Sequence, residues 1–176
     1  MMSSKSSKIQ RILVFGAVGF MGAYLIDKLI KLNYDVTASD IDESNARYFK
    51  EHDIPFINID IVQQTEFLKL NRESFDTVIH LASYQPANVS DKNSDSSNYF
   101  KVNAIGTQNI LEYCKNNNIG KLICGTSHRN TQGLWGENKP LLESDGRKIK
   151  FDTEYTLFSI SESAAQDLVE YYSVQH

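Results

Sequence analysis

The stretch Arg11-Ile12-Leu13-Val14-Phe15-Gly16-Ala17-Val18-Gly19-Phe20-Met21-Gly22 decides the fold of this chain. The four apolar residues after Arg11 read as a strand buried on both faces, as at the centre of a parallel sheet. The strand runs straight into glycines spaced G-x-x-G-x-x-G, and an apolar-periodic helix follows over 20–32. Each glycine has a physical task at such a junction. The first permits a sharp turn, the second lets backbone approach a pyrophosphate, and the third lets the helix pack closely on the sheet. The helix starting near Phe20 then aims its unpaired N–H groups at the phosphates. A glycine triplet alone is weak evidence, and its bland alternative is a tight turn. A strand before it and a helix after it supply the context that makes it specific.

Outward from this unit, strand and helix patterns alternate to the end of the chain. Strands are expected over 11–15, 34–40, 55–59, 75–81 and 120–125. Helices are expected over 20–32, 44–51, 63–70, 99–117 and 154–174. Polar loops fill 88–98 and 126–153, the second long enough to suggest a functional role or disorder. Strands separated by helices imply right-handed crossovers and a parallel sheet. The expected fold is α/β: a Rossmann-type, doubly wound parallel sheet of order 3-2-1-4-5 in three αβα layers. Its ligand crevice lies at the switch point between strands one and four.

Composition agrees with one ordinary globular domain. The chain has 176 residues, 41% hydrophobic and 23% charged, with a formal net charge of −4. Without a Lys/Arg cluster, nucleic acid is not an expected partner. The uncharged run 12–26 is broken by glycines and is shorter than the ~20 residues of a membrane span, so no membrane partner is expected. Residues 1–7 are expected to form a disordered tail and 8–176 the domain. Cys114 and Cys124 read as buried small apolar residues in a reducing, cytoplasmic setting. Trp135 reads as a packing residue.

The cofactor can be read further from strand two. Asp40 ends it, 24 residues past Gly16. A carboxylate there accepts hydrogen bonds from adenosine ribose hydroxyls and repels an added phosphate. That favours NAD over NADP. The nearest arginine is Arg47, not a direct neighbour of Asp40.

The segments ILVFGAVGFMG, ASDID, INIDI, TVIHLAS, VNAIGTQNILEYC and AAQDLVEYY together resemble the extended short-chain dehydrogenase/reductase family. That family comprises the NAD-dependent sugar epimerases and dehydratases. The resemblance implies a cofactor site made of Gly16, Gly19, Phe20, Met21, Gly22, Asp40 and Ile41. It implies adenine contacts from Asp60 and Ile61, a cofactor lining from Leu81, Ala82 and Ser83, and Asn103 near the active site. Phe15 departs from the threonine that relatives often carry before the first glycine.

The same resemblance implies a Tyr-x-x-x-Lys pair on the last helix and a hydroxyl residue after strand five. Tyrosine would be the acid/base, and lysine would lower its pKa and hold the nicotinamide ribose. Tyr24–Lys28 has this spacing but reads as a surface pair on the first helix. On the last helix, one register keeps Tyr155 and puts Ser159 in the lysine place. The preferred, ungapped register puts Phe158 and Glu162 in the two places. Both lose the lysine. Ser127 keeps a hydroxyl after strand five, and His128 is a candidate proton carrier, against the bland reading of a solvated loop histidine. No zinc spacing, G-x-S-x-G elbow or phosphate-binding G-x-x-x-x-G-K-[ST] occurs.

By this resemblance the chain covers the cofactor-binding half, with the C-terminal substrate lobe absent and strand five a possible exposed edge. A homodimer is expected through helices 99–117 and 154–174. The favoured reading is an NAD-binding module with little or no catalysis. Two alternatives stay open: an active sugar-nucleotide epimerase/dehydratase or reductase using Ser127, His128 or Tyr155, and a structural domain without cofactor.

Overall fold

The computed structural model describes residues 10–44, 46–71, 73–85, 95–136 and 138–176. The expected tail 1–7 and the loop portion 88–94 lie outside the described residues. The strands are β1 (Arg11–Phe15), β2 (Asp35–Asp40), β3 (Phe56–Asn58), β4 (Thr77–His80) and β5 (Leu122–Cys124). The α-helices are α1 (Phe20–Lys31), α2 (Ala46–Glu51), α3 (Thr107–Asn116) and α4 (Thr156–Gln175). The strands form one parallel sheet of order β3-β2-β1-β4-β5, the Rossmann-type arrangement that the sequence predicts.

β1 holds the centre because both of its faces are buried. Leu13 and Phe15 enter one core with Phe67, Leu70, Val78 and Ile110. Ile12 and Val14 enter the other with Ile26, Val36, Phe49 and Ile79. Each such side chain contributes ~1.5–3 kcal/mol by leaving water. Phe15 packs against Phe67 at 5.8 Å between ring centroids, so its bulk is absorbed by the core. β5 is the edge: Ile123 is exposed and Cys124 is half-buried, whereas Cys114 is buried as expected.

Two local expectations are corrected. The span 99–117 is not one regular α-helix: Tyr99–Gly106 winds with the wider π register before α3 begins. Gly106 lies against Ile61, where a Cβ would come within 2.6 Å of its Cδ1. The Thr107 hydroxyl donates to the Asn103 carbonyl at 2.6 Å, drawing that carbonyl to a side chain. Gln64–Leu70 is a tighter 3-10 helix, and the loop after β5 contains another at His128–Leu134. Trp135 packs at the surface, where it is 44% exposed and stacks on His128.

His80, at the end of β4, is buried and its Nε2 lies 2.9 Å from Thr107 Oγ1. Because that hydroxyl already donates to Asn103, Nε2 carries the proton and donates to it. Nδ1 has no partner among the described residues. Burial pushes the His80 pKa down to about 4. The unfolded chain therefore takes up a proton at higher pH than the folded one. The contribution is complete above pH ~6.5 and is lost as pH falls toward 4, a swing of about 3 kcal/mol. Urea midpoints measured from pH 7 to pH 4 will fall, and His80→Gln will flatten that slope.

Candidate functional site

The glycine loop is shaped by two close approaches and one opening. Gly16 has φ +80°, and a Cβ there would meet Ala82 N at 2.5 Å. A Cβ on Gly22 would lie 2.0 Å from Gly16 O, so this glycine lets α1 sit on the loop. At Gly19 the nearest atom to an added Cβ is 3.4 Å away and the residue is exposed. Gly19 is also the N-cap of α1 and supplies no side-chain acceptor, leaving the first N–H groups of that helix free of a capping side chain.

Asp40 is oriented from both sides. Val18 N donates to its Oδ2 at 2.9 Å and Asp42 N to its Oδ1 at 3.0 Å. Each oxygen keeps a further lone pair for a ligand hydroxyl. Asp60 is fixed by Val62 N, which donates to its Oδ1 at 3.0 Å. These groups line a cleft of about 690 Å³ together with Gly16, Gly19, Ile41, Ile61 and the segment Leu81–Ser83. The buried Ser39 hydroxyl on the same wall has no partner among the described residues. A glycine cradle with no room for Cβ atoms, an open middle glycine and an oriented carboxylate fit a dinucleotide such as NAD.

Leu81, Ala82 and Ser83 also line a second cavity of about 340 Å³. It is bounded by Met21 of α1, Asn103 of the π segment, Ser127 and His128 after β5, and Phe158 and Glu162 of α4. Glu162 is 8% exposed, and the Ser83 hydroxyl donates to its Oε1 at 2.7 Å. Burial raises its pKa, and the Ser83 bond opposes that rise. Among the described residues, neither a tyrosine nor a lysine lines this cavity.

The remaining expected site residues divide clearly. Phe20 is 88% exposed, Gly22 is buried where α1 meets the loop, and neither lines either cavity. Tyr155 lines neither cavity; the Arg129 guanidinium lies over its ring at 3.8 Å. Its register partner Ser159 donates to Arg129 O at 3.3 Å instead. Ser127 caps the 3-10 turn by accepting from Arg129 N, and His128 is exposed, stacked on Trp135 at 5.4 Å and 3°. Tyr84, Lys101, Cys124 and Arg129 are lining residues that the sequence reading misses. Tyr84 had a local signal, following Ser83 directly; the other three did not.

Known proteins resemble this chain in sequence and in fold. Over 118 residues the chain is 33% identical to a putative UDP-glucose 4-epimerase of Methanocaldococcus jannaschii, covering 66% of this chain and 37% of that protein. Over 148 residues it is 30% identical to UDP-glucuronic acid decarboxylase 1 of Danio rerio, covering 80% and 34%. The solved UDP-glucose 4-epimerase of Thermus thermophilus, a complex with NAD, superposes with TM-score 0.80 at 24% identity, covering 94% of this chain and 51% of that one. The chain thus spans about a third of these curated relatives and about half of the solved protein. Residues 12–176 match the sequence model of the NAD dependent epimerase/dehydratase family, and the chain belongs to that family.

Proposed function

We propose that this chain binds NAD across the two joined cavities and that its own residues support little or no turnover. The observation behind this reading is the lining of the second cavity, where α4 supplies Phe158 and Glu162 and neither Tyr nor Lys is among the described lining residues. When bound, NAD exchanges a hydride at its nicotinamide. An alcohol that gives up the hydride must also give up its hydroxyl proton to a base. Phe158 has no group to receive one. A carboxylate in place of a lysine raises the pKa of a neighbouring hydroxyl instead of lowering it.

Asp40 and Ile41 would hold the adenosine ribose, and Asp60 and Ile61 the adenine. Gly16 and Gly19 would admit the pyrophosphate, with backbone N–H groups from the start of α1, including Met21. A nucleotide sugar is the class of second ligand that the relatives' names suggest. Exposed Phe100, Ile105, Leu157 and Tyr171 support self-association through 99–117 and 154–174.

Calorimetric titration will give saturable NAD binding, weaker binding of NADP, and a loss of roughly tenfold or more in NAD affinity for Asp40→Ala, since hydrogen bonds to a charged acceptor are worth about 1.5–3 kcal/mol. A second reading rests on Ser127 and His128, which line the same cavity: a substitute acid/base could sustain catalysis. With NAD and UDP-sugars, the expected turnover is background level in the wild type, His128→Ala and Tyr155→Phe alike. Wild-type turnover that either variant abolishes establishes the second reading.

A further inference from the structure

We infer that this site discriminates between the redox states of NAD, holding the oxidised form more tightly than the reduced form through the buried Glu162 carboxylate. The inference rests on the NAD reading above and extends it to regulation of the same site.

The two forms differ by one positive charge, on the nicotinamide ring. Everything at the adenosine end of the cleft acts on both alike. Discrimination therefore depends on the charges around the second cavity. The groups there able to carry charge are His80 of β4, Cys124 of β5, His128 and Arg129 of the following loop, and Glu162 of α4. The π segment, α3 and α1 contribute the uncharged Asn103, Thr107 and Met21. Burial drives the His80 pKa to about 4 and the Cys124 pKa to about 11, so both are neutral near pH 7. Arg129 is drawn onto the Tyr155 ring, which does not line the cavity. His128 lies exposed against Trp135. Glu162 is the buried acid that remains: burial raises its pKa, and the Ser83 hydroxyl, donating to it at 2.7 Å, opposes that rise and stabilises the carboxylate once it is charged.

A carboxylate here attracts the oxidised ring, whereas a lysine in the same place would repel it. For unit charges ~6–10 Å apart at an effective dielectric near 20, the preference is roughly ten- to a hundredfold. Binding of the oxidised form must also favour loss of the Glu162 proton, so the preference grows as pH rises through the titration of that group.

The test is equilibrium dialysis of the chain with NAD⁺ and with NADH at pH 5.5 and pH 8. Wild type is expected to prefer NAD⁺ by about tenfold or more at pH 8, less at pH 5.5. Glu162→Gln keeps the Ser83 contact and is expected to bind both forms with a ratio near one at both pH values. If that variant does not fold, the pH dependence of the wild-type ratio decides. Equal wild-type affinities at pH 8, or a ratio unchanged by Glu162→Gln, overturn this inference alone. Binding of neither form overturns it together with the NAD reading.

Discussion

The architecture of the site depends on one buried carboxamide. Asn103 is 2% exposed, and its Oδ1 accepts from Tyr84 N at 2.6 Å while its Nδ2 donates to Tyr84 O at 3.2 Å and to Ser161 Oγ at 2.9 Å. The side chain thus behaves like a strand neighbour for the segment leaving β4 and a tether for α4. Both cavities are lined by Leu81–Ser83, and Glu162 follows Ser161 directly, so this one residue ties the segment after β4 to α4. Leaving such groups unpaired costs about 1–3 kcal/mol each, which makes the arrangement hard to relax. The wide turn of Tyr99–Gly106 belongs to the same arrangement, since the carbonyl of Asn103 is taken by Thr107 and, through it, by His80.

Much of this was legible in sequence because it follows from patterns of period and spacing. Four consecutive apolar residues after Arg11 place β1 at the centre of a parallel sheet, and Gly16 and Gly22 leave no room for side chains where loop, strand end and helix converge. Asp40 was likewise readable from its distance to the loop. What the sequence did not reveal is set by contacts distant along the chain. Gly106 at the end of the π segment meets Ile61, and Glu162 of α4 meets Ser83, both across long separations in sequence. Helical period alone allows both registers on α4, and the ungapped resemblance favours Phe158 and Glu162. In the structure Arg129 covers Tyr155, whereas Phe158 and Glu162 are buried beside the second cavity. The partner of Trp135, a packing residue by its sequence, was not readable: its ring stacks on a loop histidine at the surface.

The proton economy of the second cavity follows from a count of one hydrogen. Ser83 has a single hydroxyl proton and two acceptors within reach, Glu162 Oε1 at 2.7 Å and Asn103 Oδ1 at 3.3 Å. While Glu162 is ionised, the proton belongs to the shorter, charge-assisted bond. Once Glu162 is protonated it becomes a donor itself, and Ser83 turns its own hydrogen to Asn103. Both states satisfy the buried groups without moving a heavy atom, so the carboxyl can change charge at little structural cost. A tyrosine and lysine in these places would pass a proton to and from a substrate. Phe158 has no exchangeable proton, and Glu162 gains or loses its proton to the surroundings while Ser83 turns between Glu162 and Asn103, so the protonation of Glu162 sets the charge presented to whatever occupies the cavity.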